Sequence, residues 1–113
     1  MKQKMVATLV LSSLLLVHAT RAEEPIAGIG VALGLESSTL KIMKVLPGTP
    51  AERAHLSPGW IVQRIDSVPT VGRRLEDSVA MLRGPAGSKV KLELINTAAN
   101  KTNTVVLIRE RVL

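Results

Sequence analysis

Leu75-Glu76-Asp77-Ser78-Val79-Ala80-Met81-Leu82-Arg83-Gly84-Pro85-Ala86-Gly87 is the stretch on which the reading of this chain turns. Leu75, Val79 and Leu82 fall at i, i+4 and i+7, one face of a helix, with Ser78 and Met81 beside it. The spacing predicts a helix over 73–82, stopped by Gly84-Pro85. By itself such an apolar stripe marks the side of the helix that packs on a core. On the C-terminal side, residues 88–96 set Val90, Leu92 and Leu94 inward against Lys89, Lys91 and Glu93 outward, the period of a strand. Residues 97–101 turn the chain, and 102–109, rich in Thr, Val and Ile, return as a closing hairpin strand. On the N-terminal side, small and aliphatic residues alternate from Ile26 to Leu35, which suits a strand entered through a glycine turn. Residues 40–46 form a second strand, broken by Pro47-Gly48-Thr49-Pro50. Thr49 is placed to cap a short helix with Pro50 at its first position. Residues 60–65 form a third strand before a turn over 66–72. This order implies an α+β fold: a small, partly open β-barrel or sandwich of five to six strands capped by one short and one longer helix.

Composition narrows what such a domain does. The chain has 113 residues, no Cys, and Trp60 as its only aromatic. A disulfide framework and thiolate chemistry are excluded, and so is a base-stacking platform for nucleic acid. The formal charge of +6 is partly removable. Residues 1–22 have the pattern of a secretory signal: Lys2 and Lys4 at the start, an apolar run from Met5 to Val17, and small residues before Ala19 and Ala22, either of which ends a cleavage site. The run is shorter than the ~20 residues of a membrane span. Cleavage after Ala22 removes Lys2, Lys4 and Arg21, so 15 basic residues less three leave 12 against 9 acidic. The expectation is a signal peptide over 1–22, a domain over 23–113, export to a periplasmic or secreted location, and no stable membrane span afterwards.

Three motifs, in order, resemble those of PDZ domains, most closely the PDZ module of carboxyl-terminal processing (tail-specific) proteases. They are Gly28-Ile29-Gly30-Val31, the segment from Pro47-Gly48-Thr49-Pro50-Ala51 to Leu56-Ser57-Pro58-Gly59, and the helix and exit quoted above. The likeness covers residues 27–112. It departs from the family pattern at His55, where glycine is usual, at Trp60, where aspartate is usual, and at Asp66-Ser67, where Asn-Gly is usual. The resemblance implies a carboxylate-binding loop at Gly28, Ile29, Gly30 and Val31. It implies a peptide-binding strand through Ala32 and Leu33, and a groove walled by Leu75, Val79 and Leu82. Leu75 at the helix start favours an apolar ligand residue there. Arg73 and Arg74 read as solvated.

No activity follows from these residues. The proteases of the resembled family use a Ser/Lys pair in a separate domain, and no serine here lies in a G-x-S-x-G elbow. His18 and His55, with no clustered carboxylates, make no metal site, and no cofactor is expected. The implied partners are C-terminal, apolar-ended segments of other proteins, captured by strand addition. An accessory role delivering substrates to a protease in trans is the alternative, and a structural role with a closed groove is a third.

Overall fold

A computed structural model describes residues 26–111. The expected signal segment over 1–22 lies outside the described residues. The elements are β1 (Ile26–Ala27), β2 (Val31–Glu36), β3 (Thr39–Val45), α1 (Pro50–Arg53), β4 (Ile61–Ile65), β5 (Val68–Pro69), α2 (Leu75–Leu82), β6 (Gly84–Pro85), β7 (Lys89–Asn96) and β8 (Lys101–Ile108). An antiparallel sheet of six strands runs β2-β3-β4-β7-β8, with β5 paired to β4, and β1 and β6 form a separate ribbon. β2 and β8 are therefore the sheet's two outer strands.

The alternation read in β7 is the one the sheet uses. Val90, Leu92 and Leu94 are buried together with Leu40, Ile42, Val62 and Ile65 from the neighbouring strands. Ala51 and Leu56 close the core from the side of α1, and Leu82 from α2. The β7–β8 hairpin is in register along its whole length, from Lys89↔Ile108 to Asn96↔Lys101. Its turn is held by the Asn96 carboxamide oxygen, which accepts from the Ala98 and Ala99 N–H groups (3.1 and 3.2 Å). A side chain that bonds the backbone two or three residues on is the mechanism of an Asx turn.

Two other hairpins use two-residue loops with both residues at positive φ: Ser37-Ser38 (51° and 64°) and Asp66-Ser67 (49° and 70°). This is the loop whose twist matches the strands, and it normally takes Asn-Gly. At Asp66-Ser67 the strain is offset by long-range bonding. The Asp66 N–H donates to the Lys91 carbonyl, and the Asp66 carboxylate accepts from the Lys91 N–H, both at 2.8 Å. His55 likewise lies at φ 62°, just past α1. The departures from the resembled pattern at His55 and Asp66-Ser67 thus fall where the backbone is left-handed.

Helix α1 starts as its sequence implies. Thr49 is the N-cap, its hydroxyl accepts from the Glu52 N–H, and Pro50 occupies the first turn. The Glu52 carboxylate reaches back to the Gly48 N–H (2.8 Å), close to a capping box. Helix α2 begins at Leu75, not at residue 73. Arg74 is its N-cap, in extended conformation and without a side-chain cap bond, because arginine carries no acceptor. The segment from Ile26 to Leu35 follows the glycine turn read in it. It breaks at residues 28–30 and feeds two sheets, because the β1 backbone pairs with β6 while β2 pairs with β3. Trp60 precedes β4 and is half-buried against the core.

Candidate functional site

A cleft of about 230 Å3 lies between the outer edge of β2 and α2. The loop from Gly28 to Gly30 closes one end. Its lining is Ala27 to Val31, Leu33 and Leu46 on one side and Val79, Leu82 and Arg83 on the other.

The loop's geometry follows from where its carbonyls go. The Gly28 carbonyl accepts from the Glu110 N–H (2.9 Å), that of Ile29 from the Ala51 N–H (2.9 Å) and that of Gly30 from the Leu46 N–H (2.9 Å). Three successive carbonyls are thus turned into the body of the domain. The Gly28 N–H is used as well, donating to the Glu110 carbonyl (3.0 Å). The N–H groups of Ile29 and Gly30 have no partner among the described residues. The Leu46-to-Gly30 bond makes Val31 and Val45 a non-hydrogen-bonded pair, so the Val31 N–H points off the open edge of β2. Successive donors freed in this way make an anion-binding concavity. Glycine is needed here chiefly at Gly30. Its φ is +91°, and a Cβ there would fall inside the Thr49 side chain.

Beyond the loop, β2 has no neighbour on its outer side among the described residues. A β-bulge falls between Ala32 and Leu33, after which Leu33 pairs with Ile42. The two-residue hairpin closes on the hydrogen-bonded pair Glu36–Thr39, so by alternation the N–H and C=O groups of Leu33 and Leu35 also face the open edge. An extended peptide finds there the donors and acceptors of a missing strand.

The expected site residues are distributed as follows. Gly28, Ile29, Gly30, Val31, Leu33, Val79 and Leu82 line one cleft. Ala32 is exposed on β2. Leu75 is half-buried against the core and is not among the lining residues. The i, i+4, i+7 stripe therefore does not act as a unit: Leu75 packs inward while Val79 faces the cleft. Arg73 and Arg74 are exposed and occupied locally, Arg73 on the Pro69 carbonyl (2.8 Å) and Arg74 on Glu76 (2.8 Å). The Glu76 carboxyl is held below its ordinary range, first by a hydrogen bond from its own backbone amide and then by Arg74.

Two lining residues were not expected. Leu46 leaves β3 just before Pro47 and reaches the cleft because its own N–H bonds Gly30. Arg83, exposed at the end of α2, borders the loop. The apolar run ending at Leu46 carried a signal for the first, and nothing local did for the second. No group of His, Asp or Glu among the described residues is arranged to hold a metal. No described helix is long and apolar enough to cross a membrane.

Comparisons agree with this architecture. The family described as "PDZ domain" matches residues 17–95. The chain is similar to carboxyl-terminal-processing peptidase 2, chloroplastic, of Arabidopsis thaliana (33% identity over 93 residues, 77% of this chain, 18% of that protein). It is also similar to the tail-specific protease of Haemophilus influenzae (36% over 91 residues, 75% of this chain, 13% of that protein). It therefore spans less than a fifth of the length of these relatives. Among solved structures, the PDZ domain of the carboxy-terminal protease from Vibrio cholerae, in complex with peptide, superposes with a TM-score of 0.71 at 30% identity, covering 79% of this chain and 99% of that one. The photosystem II D1 C-terminal processing protease gives 0.73 at 27% identity over 78% of this chain and 24% of its own. In the order and pairing of its strands, the course of its glycine loop and the extent of these matches, the chain belongs to the PDZ domain family.

Proposed function

We propose that this chain is an exported, non-catalytic peptide-binding module. It takes the apolar C-terminal segment of another protein as an added strand on β2, alongside α2, with the terminal carboxylate on the loop from Gly28 to Val31. The observation that carries this reading is the loop's polarity: its carbonyls are engaged behind it, while three amide N–H groups are left for an anion at the end of an open strand edge. Main-chain pairing supplies affinity that does not depend on sequence. Val79 and Leu82 then select an apolar last side chain. An interface of this size binds at about 1–100 μM, roughly −5 to −8 kcal/mol.

Titration with matched free-acid and amidated peptides ending in Leu is the test. The free acid binds and the amide binds at least about ten-fold more weakly, a difference of about 1.4 kcal/mol. Equal affinities would remove the carboxylate from the mechanism. Export rests on the basic start and apolar run of residues 1–22, and intact-mass analysis of the exported fraction decides it. A second reading is favoured by the relatives, which are proteases: the module delivers substrates to, or regulates, a protease in trans. Co-purification of a protease with the tagged chain separates the two.

A further inference from the structure

Helix α2, one wall of the cleft, has a single local bond at its C-terminal end, from the Arg83 N–H to the Ala80 carbonyl (3.2 Å). Arg83 is extended (φ −89°, ψ 152°), the last turn contains no basic residue, and Gly84 after it is not left-handed. A helix end leaves carbonyls without intrahelical partners, and here the last two are met from far along the chain. Arg109 Nε donates to the Leu82 carbonyl (3.0 Å) and Nη2 to the Met81 carbonyl (3.1 Å), while Nη1 donates to Ser88 Oγ (2.9 Å) and to the Lys89 carbonyl (3.0 Å). The residue is only 8% exposed and has no carboxylate partner among the described residues. An apolar side chain would fill this place without desolvating a charge. What the guanidinium adds is direction, a rigid fork whose donors sit on several acceptors at once. Gly84 leaves it room, since a Cβ there would lie 3.1 Å from Arg109 Cζ and Nε.

The next residue holds the opposite side. Glu110 exchanges both backbone hydrogen bonds with Gly28, at the base of the loop. One dipeptide thus fastens the end of the helical wall and the start of the glycine loop. We propose that Arg109 is a positioning residue for the cleft: it fixes the distance from the last turn of α2 to the loop and so sets which terminal side chain fits between Leu82 and Ile29. This rests on the peptide-binding reading above.

The test compares free-acid peptides ending in Leu and in Ala on the wild-type chain and on Arg109→Lys and Gly84→Ala. Each is titrated where circular dichroism reports the protein folded. Arg109→Lys keeps the charge and loses the fork. Gly84→Ala leaves Arg109 in place but crowds it, at a backbone angle alanine accepts, and so decides the matter if Arg109→Lys does not fold. In the wild type the Leu peptide binds about ten-fold better than the Ala peptide, and this preference falls to about three-fold or less in the variants, because a loosened wall no longer grips the side chain. A preference preserved in the folded variants, whatever their stability, overturns the inference and leaves peptide binding intact. A wild-type chain that binds neither peptide overturns both.

Discussion

Replacing Gly30 with alanine tests the loop's construction directly. Two costs are visible. The backbone at φ +91° is a region that L-residues rarely adopt, worth about 1–3 kcal/mol. The new Cβ would also fall inside the Thr49 Cβ, Cγ2 and Oγ1 atoms. Rotating Thr49 does not clear its own Cβ, so the loop and the start of α1 must separate. That separation strains the Ala51-to-Ile29 bond (2.9 Å) and the Thr49 hydroxyl bond to the Leu46 carbonyl (2.7 Å). One such bond or the cap itself is worth about 1 kcal/mol. The sum for Gly30→Ala is a loss of about 3–5 kcal/mol, a large part of the ~5–15 kcal/mol of a small domain. Gly28→Ala is the control. Nothing lies within 4 Å of a Cβ there and its φ is not left-handed, so its cost is within about 0.5 kcal/mol. Urea unfolding of both variants at constant m measures the contrast. A Gly30→Ala variant within about 1 kcal/mol of wild type, or a Gly28→Ala variant as damaged as Gly30→Ala, refutes the reasoning.

Other substitutions have signed outcomes. His55→Gly relieves a side chain at φ 62° and stabilises by about 0.5–1 kcal/mol in the same urea assay, its chain-entropy cost included. Ser78 is fully buried and its hydroxyl has no partner among the described residues; Ser78→Ala raises stability by about 1 kcal/mol, read as a higher Tm. Glu76 has its folded-state pKa lowered, so its contribution is present above the ordinary glutamate range and is lost as pH falls through the lowered value. Glu76→Gln therefore makes the acid-side fall in stability less steep, while the two proteins respond alike above neutrality. Val79 is half-buried and lines the cleft; Val79→Glu weakens Leu-ended peptides by at least about ten-fold with the circular dichroism spectrum retained, whereas unfolding would mean the side chain is core.

What the sequence revealed and what it hid divide along the range of the forces involved. The period-two pattern of Val90, Leu92 and Leu94 and the Thr49-Pro50 start of α1 are local signals, and both elements form where those signals stand. The break between β1 and β2 is marked locally only by Gly28 and Gly30. The residues on either side of Gly30 are alike in character, and what divides them is pairing with β6 at Gly84-Pro85, far along the chain. Two-residue strands such as β5 and β6 exist only through their partners. The helix at 75–82 was legible, but not which of Leu75 and Val79 faces the cleft, since both satisfy the same spacing. Arg109, at the end of a strand and charged, carries no local mark of burial. Its burial follows from acceptors 20 to 28 positions away.

The bridge between Gly28 and Glu110 also bears on when the site comes into being. It joins the two sequence extremes of the described fold, and contacts between distant segments form late because a long loop must close before they are gained. The β7–β8 hairpin and the β2–β3 hairpin need no such closure. On a refolding chain these two hairpins therefore form first, and the glycine loop acquires its final course only after residue 110 docks. Peptide capture becomes the last property to mature. In a stopped-flow refolding experiment, recovery of strand signal precedes recovery of peptide binding.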